Sequence, residues 1–216
     1  TLRENQIAYA EPSFFRLFDF ELLKGDKKTC LSMPGQVVIT ERIASKYFKD
    51  EDPIGKIFIF TGAYDKISCE VTGVMKEMPS NSHIHYSFLI SYKSLPKYMQ
   101  EYWYKHEAYT YVLLDSPERK AEIEREFPVM AEKYKTDEAL KNKTWGVSLI
   151  PLADIHLTPQ VGYEAETKGN RSSMIALIFA AIAILAIAWI NYINLTVARS
   201  MERAKEVGVR RVVGAF

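Results

Sequence analysis

The chain has 216 residues and a formal net charge of +1 at pH 7, with 28 Lys and Arg against 27 Asp and Glu. This balance argues against a general nucleic-acid surface. Residues 1–171, which precede a long apolar run, suffice for one domain with a core or for two small lobes. The only two cysteines, Cys30 and Cys69, do not make a disulfide framework, so they either pair or remain buried free thiols.

The first 160 residues alternate short strands with short helices. Stretches rich in β-branched and aromatic residues predict strands, and apolar residues spaced three and four apart predict helices. In chain order the predicted elements are a strand at 6–9, a brief helix at 12–18, strands at 20–23 and 36–40, a helix at 40–48, strands at 56–60, 67–75, 85–91 and 109–114, a helix at 117–135 and a strand at 145–152. Because this order lacks strict βαβ regularity, we expect an α+β domain over residues 1–160 whose sheet is covered by helices on one face.

Details of the helices and of one connection add to this prediction. Thr40 is expected to cap the helix that ends at Phe48. The helix at 117–135 has a narrow apolar stripe formed by Ile123, Phe127 and Met130. An aromatic group in the preceding connection is either a partner patch or part of a packed lobe: Tyr98, Tyr102, Trp103 and Tyr104.

Patterns that would carry chemistry are weak in this domain. His83 and His85 project to one face if that stretch is extended, but no Cys or carboxylate stands at matching spacing, so a turn is favoured over a metal site. The residues GDKKT at 25–29 lack the complete phosphate-loop motif, so ATP binding is not expected. No arrangement of a nucleophile with a base is legible. We therefore expect no enzyme activity, no cofactor and no metal.

A long apolar run follows the polar, glycine-containing connector at 161–171. From Met174 to Ile190 no side chain is charged or polar, and a weakly polar continuation reaches Ala198. A helix of about 25 residues is about 38 Å long, which exceeds the roughly 30 Å core of a bilayer. Residues 172–198 are therefore predicted to be a transmembrane helix. The alternative, an apolar helix buried in a soluble core, is seldom this long.

One face of this helix carries small residues and two asparagines: Ala180, Ala183, Ile187, Asn191, Asn194 and Ala198. Small residues let helices approach closely, and an Asn side chain can bond a neighbouring helix for about 1 kcal/mol. We therefore expect Ala180, Ala183, Asn191 and Asn194 to pack against another membrane helix. The alternative is that both asparagines only lie in the interface region.

The flanks of the apolar run differ in charge. Five basic residues follow it, against Lys168 and Arg171 before it: Arg199, Arg203, Lys205, Arg210 and Arg211. Basic residues close to a helix end stay in the cytoplasm, so residues 1–160 are predicted outside and 199–216 inside. The first residues have no signal-peptide pattern although the domain must be exported, so we expect a segment of a longer protein.

At this point the sequence resembles a known family. The tail RAKEVGVRRVVGA, residues 203–215, is similar to the R-x-K-E-[IV]-G-[IV]-R-[KR]-x-x-G-A segment of FtsX-like ABC transporter permeases. The pieces that resemble the MacB-type periplasmic core domain are PSFFRLFDFELLKGD, VVITERIASKYF, DPIGK, VTGVMKEMPSNSH and PLADIHL. The resemblance implies an inner-membrane permease with four transmembrane helices that works as a homodimer or paired permease with a cytosolic ATPase.

The resemblance also implies a function and its residues. Such a subunit is non-catalytic and conveys ATPase-driven motion to its periplasmic domain, for efflux, lipoprotein release or control of cell-wall hydrolases through a periplasmic partner. Residues 199–216 would begin the coupling segment, and the residues expected to couple to the ATPase are Arg203, Glu206, Gly208, Arg210 and Arg211. Membrane lipid is an open alternative partner for these basic side chains.

Physical patterns in the tail agree with a docking helix. A stripe of mostly small residues lies along one side: Met201, Ala204, Gly208, Val212 and Ala215. Glu206 and Arg210 are spaced for a favourable pair one turn apart. An alternative function is an extracytoplasmic sensor tethered by one helix to a cytoplasmic signalling domain. A membrane-tethered hydrolase ranks last, because no nucleophile with a base is present.

Overall fold

The computed structural model describes residues 4–62, 66–100, 108–134, 142–155 and 171–214. The chain divides into two compact units, which are described separately. One comprises Thr1–Leu152 with Gly162–Glu166, and the other comprises Ala153–Val161 with Thr167–Phe216. The predicted connector therefore lies outside the described residues except for Arg171, and so do Tyr102, Trp103 and Tyr104 of the aromatic group.

The first unit is built on a mixed sheet. Among the described residues its strands are β1 (Ile7–Ala10), β2 (Leu22–Lys24), β3 (Gln36–Thr40), β4 (Ile57–Thr61), β5 (Lys66–Met75) and β6 (Phe88–Ser91). Its helices are α1 (Phe14–Leu17), α2 (Glu41–Phe48), α3 (Lys97–Gln100) and α4 (Arg119–Tyr134), with short 3-10 turns at Tyr92–Ser94 and Leu152–Asp154. The strand order is β1-β6-β3-β5-β2, and β4 pairs with the first half of β5. The pairs β1–β6 and β3–β5 are parallel, and the other pairs are antiparallel.

Strand β3 explains why both faces of this sheet are covered. Its residues Val37, Val38 and Ile39 are fully buried, although neighbouring side chains along a strand point to opposite faces. Val37 and Ile39 pack in one cluster with Ile43 of α2, and Val38 packs in the other with Phe15 of α1. The expectation that helices cover only one face is therefore wrong. A strand that is apolar at every position needs cover on both sides.

Thr40 occupies the N-cap position of α2 as predicted, with extended backbone, but its side chain does not cap the helix. The hydroxyl is fully buried and has no partner among the described residues, while its backbone N–H donates to the Ser87 carbonyl at 3.1 Å. Thr40 is also the last residue of β3. Its side chain is therefore packed at the end of the strand and does not reach the first turn of α2.

Two predicted strands are absent. Residues 109–114 and 145–150 belong to no strand, and the end of the second stretch enters the 3-10 turn at Leu152–Asp154. Side chains fix both stretches instead of a backbone ladder. The Tyr111 ring packs edge-on against Phe18, and the Leu149 N–H donates to a Glu124 carboxylate oxygen of α4 at 2.7 Å. A β-branched and aromatic composition favours extended backbone, but it does not guarantee a partner strand.

Helix α4 matches its predicted range to within two residues, but its buried stripe is shifted. Ile123 and Phe127 are half-buried as expected, whereas Met130 is exposed and Ala131 is the buried residue. Ala131 follows Phe127 by four residues, so it continues the same face.

The second unit contains one long helix, α5 (Arg171–Val212), with 42 residues. At a rise of about 1.5 Å per residue its length is about 63 Å. The helix is unbroken from the apolar run into the basic segment and ends just before Gly214, whose φ of +73° suits a left-handed C-terminal cap.

Candidate membrane and coupling helix

Helix α5 is the one described helix long and apolar enough to cross a membrane. None of its most apolar window is buried within the chain, and every described side chain along it is exposed. The described residues therefore do not enclose this helix in a core. Large apolar side chains such as Phe179 and Leu185 have no cover in the chain. Lipid or other helices are the surroundings that suit them.

Four polar residues at the end of the apolar part and just beyond it fall into two groups: Asn191, Asn194, Thr196 and Ser200. The Thr196 hydroxyl donates to the Tyr192 carbonyl at 2.8 Å, and the Ser200 hydroxyl donates to the Thr196 carbonyl at 2.9 Å. These hydroxyls are thus satisfied within the helix, as a low-dielectric environment requires. The side-chain amides of Asn191 and Asn194 have no partner in the described part of the chain. Hydrocarbon offers no hydrogen-bond partner for an amide group.

The regular helix brings the predicted packing residues together. At about 100° per residue, Ala180, Ala183, Asn191 and Asn194 lie within an arc of about 80°. The two alanines form a shallow strip, and the two asparagines continue it toward the C-terminal end. A neighbouring helix could therefore approach the strip and accept or donate hydrogen bonds at its end.

The basic segment has one ion pair. Arg210 Nη2 lies 2.5 Å from Glu206 Oε1, one turn apart, which confirms the predicted pair. Both side chains are well exposed, at 68% and 60%. An exposed pair of this spacing stabilises a helix by only about 0.5 kcal/mol. The pair therefore fixes the positions of these two side chains on α5 but adds little to the stability of the helix.

The five residues predicted to couple to an ATPase do not share one face. Arg203, Glu206 and Arg210 lie within about 60° of one another, whereas Gly208 is about 160° from Glu206. Arg211 lies between these two sides. Residues two apart on a helix cannot face the same way. Glu206 and Gly208 can therefore contact one partner only if that partner embraces the helix.

Gly208 has no explanation within the chain. A Cβ added there would meet no atom within 4 Å, and the backbone is helical. A glycine in a helix interior costs about 1 kcal/mol relative to alanine, so the residue is unfavourable where nothing approaches it. Close approach by another molecule would explain why a residue without a side chain stands at position 208.

The first unit contains a polar network that sequence reasoning missed. Glu4 Oε1 accepts from Lys46 Nζ at 2.5 Å and from the Tyr47 hydroxyl at 2.8 Å, which ties the first described residue to α2. Hydrogen bonds from Lys46 and Tyr47 lower the pKa of Glu4 below its usual 4.5. Burial, followed by the Glu4 carboxylate, raises the pKa of Tyr47 to about 12.

A second branch of this network joins the same region to β6. Arg42 Nη2 donates to the Ser87 hydroxyl at 2.8 Å, and that hydroxyl donates to Gln6 Oε1 at 2.7 Å. These partners are separated by 45 and 81 residues, so no local pattern could have revealed them. The network fixes the entry of the chain into the domain.

The two described histidines and both cysteines have structural surroundings. His83 Nε2 is 2.9 Å from the Tyr111 hydroxyl, and His85 Nε2 is 3.1 Å from the Pro79 carbonyl. Among the described residues, no three His, Cys, Asp or Glu side chains come together in a group that could hold a metal ion. Cys30 and Cys69 are free thiols in separate clusters on opposite faces of the sheet, which excludes their pairing in this fold. Burial raises the pKa of each thiol to about 11.

Comparison with solved structures gives two similar domains. One is a domain of a protein described as a candidate permease from Porphyromonas gingivalis, with 21% identity and a TM-score of 0.50, covering 61% of this chain and 60% of that one. The other is the periplasmic region of MacB from Actinobacillus actinomycetemcomitans, with 15% identity and a TM-score of 0.36, covering 62% of this chain and 64% of that one. The alignments thus span less than two thirds of either relative.

Comparison with known sequences gives one family match. A search of curated proteins found no match for the chain. The family model of the MacB-like periplasmic core domain matches residues 1–128, more than half of the chain, and α5 lies beyond the match. The match spans the mixed sheet, α1, α2, α3 and the first part of α4. The chain therefore belongs to the MacB-like periplasmic core domain family.

Proposed function

We propose that this chain is a permease subunit of an ABC transporter, which conveys the motion of a cytoplasmic ATPase to a periplasmic domain. The observation that carries the proposal is the continuity of α5, which runs without interruption from the apolar residues into the basic segment. The family membership of the first 128 residues supplies the periplasmic domain. The subunit itself is non-catalytic, and ATP is hydrolysed by a partner.

The membrane arrangement follows from lengths and charges. Residues 172–198 of α5 are about 40 Å long and cross the inner membrane, and residues 199–212 continue for about 21 Å beyond them. The basic side chains of this extension support a cytoplasmic position for it and, with it, a periplasmic position for residues 1–160.

Motion passes along α5 because the helix is continuous from the apolar run into the basic segment. Kinks in helices occur at proline, at glycine or at inserted side chains, and α5 has no proline and no glycine before Gly208. A push on the cytoplasmic extension therefore moves the helix as one rigid element, which is how domain rotations are commonly conveyed. This motion would drive efflux, lipoprotein release or control of a cell-wall hydrolase.

Two surfaces of α5 meet partners. The side that includes Gly208 accepts the ATPase at close range, and Glu206 with Arg210 flanks that contact from the other side. Within the membrane, Ala180, Ala183, Asn191 and Asn194 pack against a helix of the same permease or of its dimer partner. The unpaired asparagine amides support this second contact, since an unsatisfied amide is costly in lipid.

Co-purification with the ATPase encoded beside the gene tests the first surface. In the full-length protein, Gly208→Leu should abolish co-purification and the stimulation of ATP hydrolysis, because the added side chain occupies the space of the partner. The matched control is Glu202→Leu, which adds the same side chain about 120° away and should leave both intact. Normal co-purification of the Gly208→Leu protein would refute the assignment of this surface.

A further inference from the structure

The end of the apolar run is followed by two arginines on one face of α5. Arg199 follows the run directly, and Arg203 is one turn, or about 6 Å, further along α5. The two side chains lie within about 40° of each other, so they form one face. Among the described residues neither has an ion-pair partner, whereas Arg210 is paired with Glu206.

Two unpaired like charges one turn apart are mildly unfavourable in a helix. Among the described residues no ion pair relieves this repulsion: Glu206 is paired with Arg210, and Glu202, three residues after Arg199, is paired with neither arginine. An external anion bound between the two guanidinium groups would do so. Guanidinium groups match phosphate oxygens well, because their donors lie in a planar fork that makes paired hydrogen bonds.

The length of α5 indicates that a phosphate bound by these two arginines would belong to a lipid headgroup. Residues 172–198 measure about 40 Å, against a hydrocarbon core of about 30 Å and a bilayer of about 40–45 Å with its headgroups. If the run is centred in the bilayer, the backbone of Arg199 lies about 20 Å from the midplane, at the outer edge of the headgroups, and that of Arg203 lies about 6 Å further out. Helical side chains lean toward the N-terminus of their helix, so both arginines lean back toward the headgroup phosphates. Glu206 is about 10 Å beyond Arg199 and is held by Arg210, so its negative charge stays clear of the lipid surface.

We propose that Arg199 and Arg203 form a binding site for the phosphate of anionic phospholipids in the leaflet at the C-terminal end of α5. The site fixes the depth of the helix and leaves Gly208, Glu206 and Arg210 outside the headgroups, free for a protein partner. The inference rests on the part of the proposed function that places α5 across a bilayer. It assigns the inner arginines to lipid and the outer residues to coupling.

The test uses the full-length protein in nanodiscs of phosphatidylcholine that contain about one third phosphatidylglycerol. Association of spin-labelled phosphatidylglycerol is compared with that of spin-labelled phosphatidylcholine. The wild type should prefer the anionic lipid, and Arg199→Gln with Arg203→Gln should reduce the preference by up to about fivefold per arginine at low salt. The matched control, Arg210→Gln with Arg211→Gln, removes the same charge further out and should retain most of the preference.

Three outcomes would overturn the proposal: no preference in the wild type, equal losses in the two double variants, or displacement of the lipid by inorganic phosphate at constant ionic strength. The last result would mean a general anion site. Protease protection of α5 in the same discs separates this failure from that of the proposed function. A protected helix without lipid preference overturns only the lipid site, whereas an unprotected helix overturns the membrane placement itself.

Discussion

Glu206 and Arg210 are joined by an ion pair of 2.5 Å across one turn of α5, while Gly208, between them in sequence, faces the opposite side. The pair is exposed, so its loss should change helix stability by no more than about 0.5 kcal/mol. We therefore expect Glu206→Lys to leave the expression and helical content of the full-length protein unchanged but to weaken co-purification with the ATPase, since it places three like charges on one face. Unchanged co-purification and ATPase activity would remove Glu206 from the coupling contact.

Two threonine hydroxyls of the sheet allow a matched comparison. Among the described residues the buried Thr40 hydroxyl has no hydrogen-bond partner, whereas the hydroxyl of the half-buried Thr72 donates to the Cys30 carbonyl at 2.5 Å. Thr40→Val should therefore raise the free energy of unfolding by about 1 kcal/mol, because it removes an unsatisfied buried group of nearly the same shape. Thr72→Val should lower the free energy by about 1 kcal/mol.

Urea denaturation of the two variants measures both changes. A destabilised Thr40→Val protein would mean that the hydroxyl has a partner in solution, such as a bound water, and that the packing at the end of β3 differs from the structure.

Tyr111 anchors the stretch that follows residue 108. Its ring packs against Phe18 at 4.9 Å between centroids, and its hydroxyl is bonded to His83. Tyr111→Phe should cost about 1 kcal/mol through the lost hydrogen bond, and Tyr111→Ala about 3 kcal/mol through lost packing. Because no strand holds this stretch, we expect Tyr111→Ala to speed hydrogen exchange of the amides at 109–114 while those of β3 stay protected.

A control separates local from global effects in that measurement. Tyr98 is exposed on α3, so Tyr98→Ala should leave the exchange at 109–114 unchanged. Loss of protection in β3 with Tyr111→Ala would show that Tyr111 supports the whole sheet and is not a local anchor.

The contacts of Glu4 predict a pH dependence. The pKa of Glu4 is lowered in the folded domain by the hydrogen bonds from Lys46 and Tyr47. The stabilisation is therefore complete above the ordinary pKa of about 4.5 and is lost as the pH falls through the lowered value. Glu4→Gln should unfold more readily at pH 7, by about 1 kcal/mol, and should lose less stability than the wild type on acidification.

Urea midpoints between pH 7 and pH 3 measure this difference, with Glu51→Gln as the control because Glu51 has only an exposed pair with Lys56. If the wild type and Glu4→Gln lost the same stability between pH 7 and pH 3, the assigned role of the Glu4 hydrogen bonds would be contradicted.

Local patterns predicted the elements whose stability is local. The β-branched run at 36–40 became β3, the amphipathic stretch after Thr40 became α2, and the spacing of Glu206 and Arg210 gave their ion pair. The resemblance to the periplasmic core domain is confirmed over residues 1–128.

Features that depend on distant partners could not be predicted. Tyr111 lies in a stretch with the composition of a strand, and only the positions of Phe18 and His83 show that side chains hold it instead. The attachment of Glu4 to α2 spans more than 40 residues of sequence and uses ordinary surface residue types. Helix geometry implies that Glu206 and Gly208 face opposite sides of α5, but the sequence motif alone does not show this.

Accessibility of introduced thiols tests the central proposal, that α5 joins an outside domain to an inside segment. Cys30 and Cys69 are buried and burial raises the pKa of each thiol to about 11, so they should give little background with a maleimide. In cells with a permeabilised outer membrane, an impermeant maleimide should label Lys66→Cys directly and Lys205→Cys only after the inner membrane is disrupted. Labelling of both positions from the same side would contradict the account.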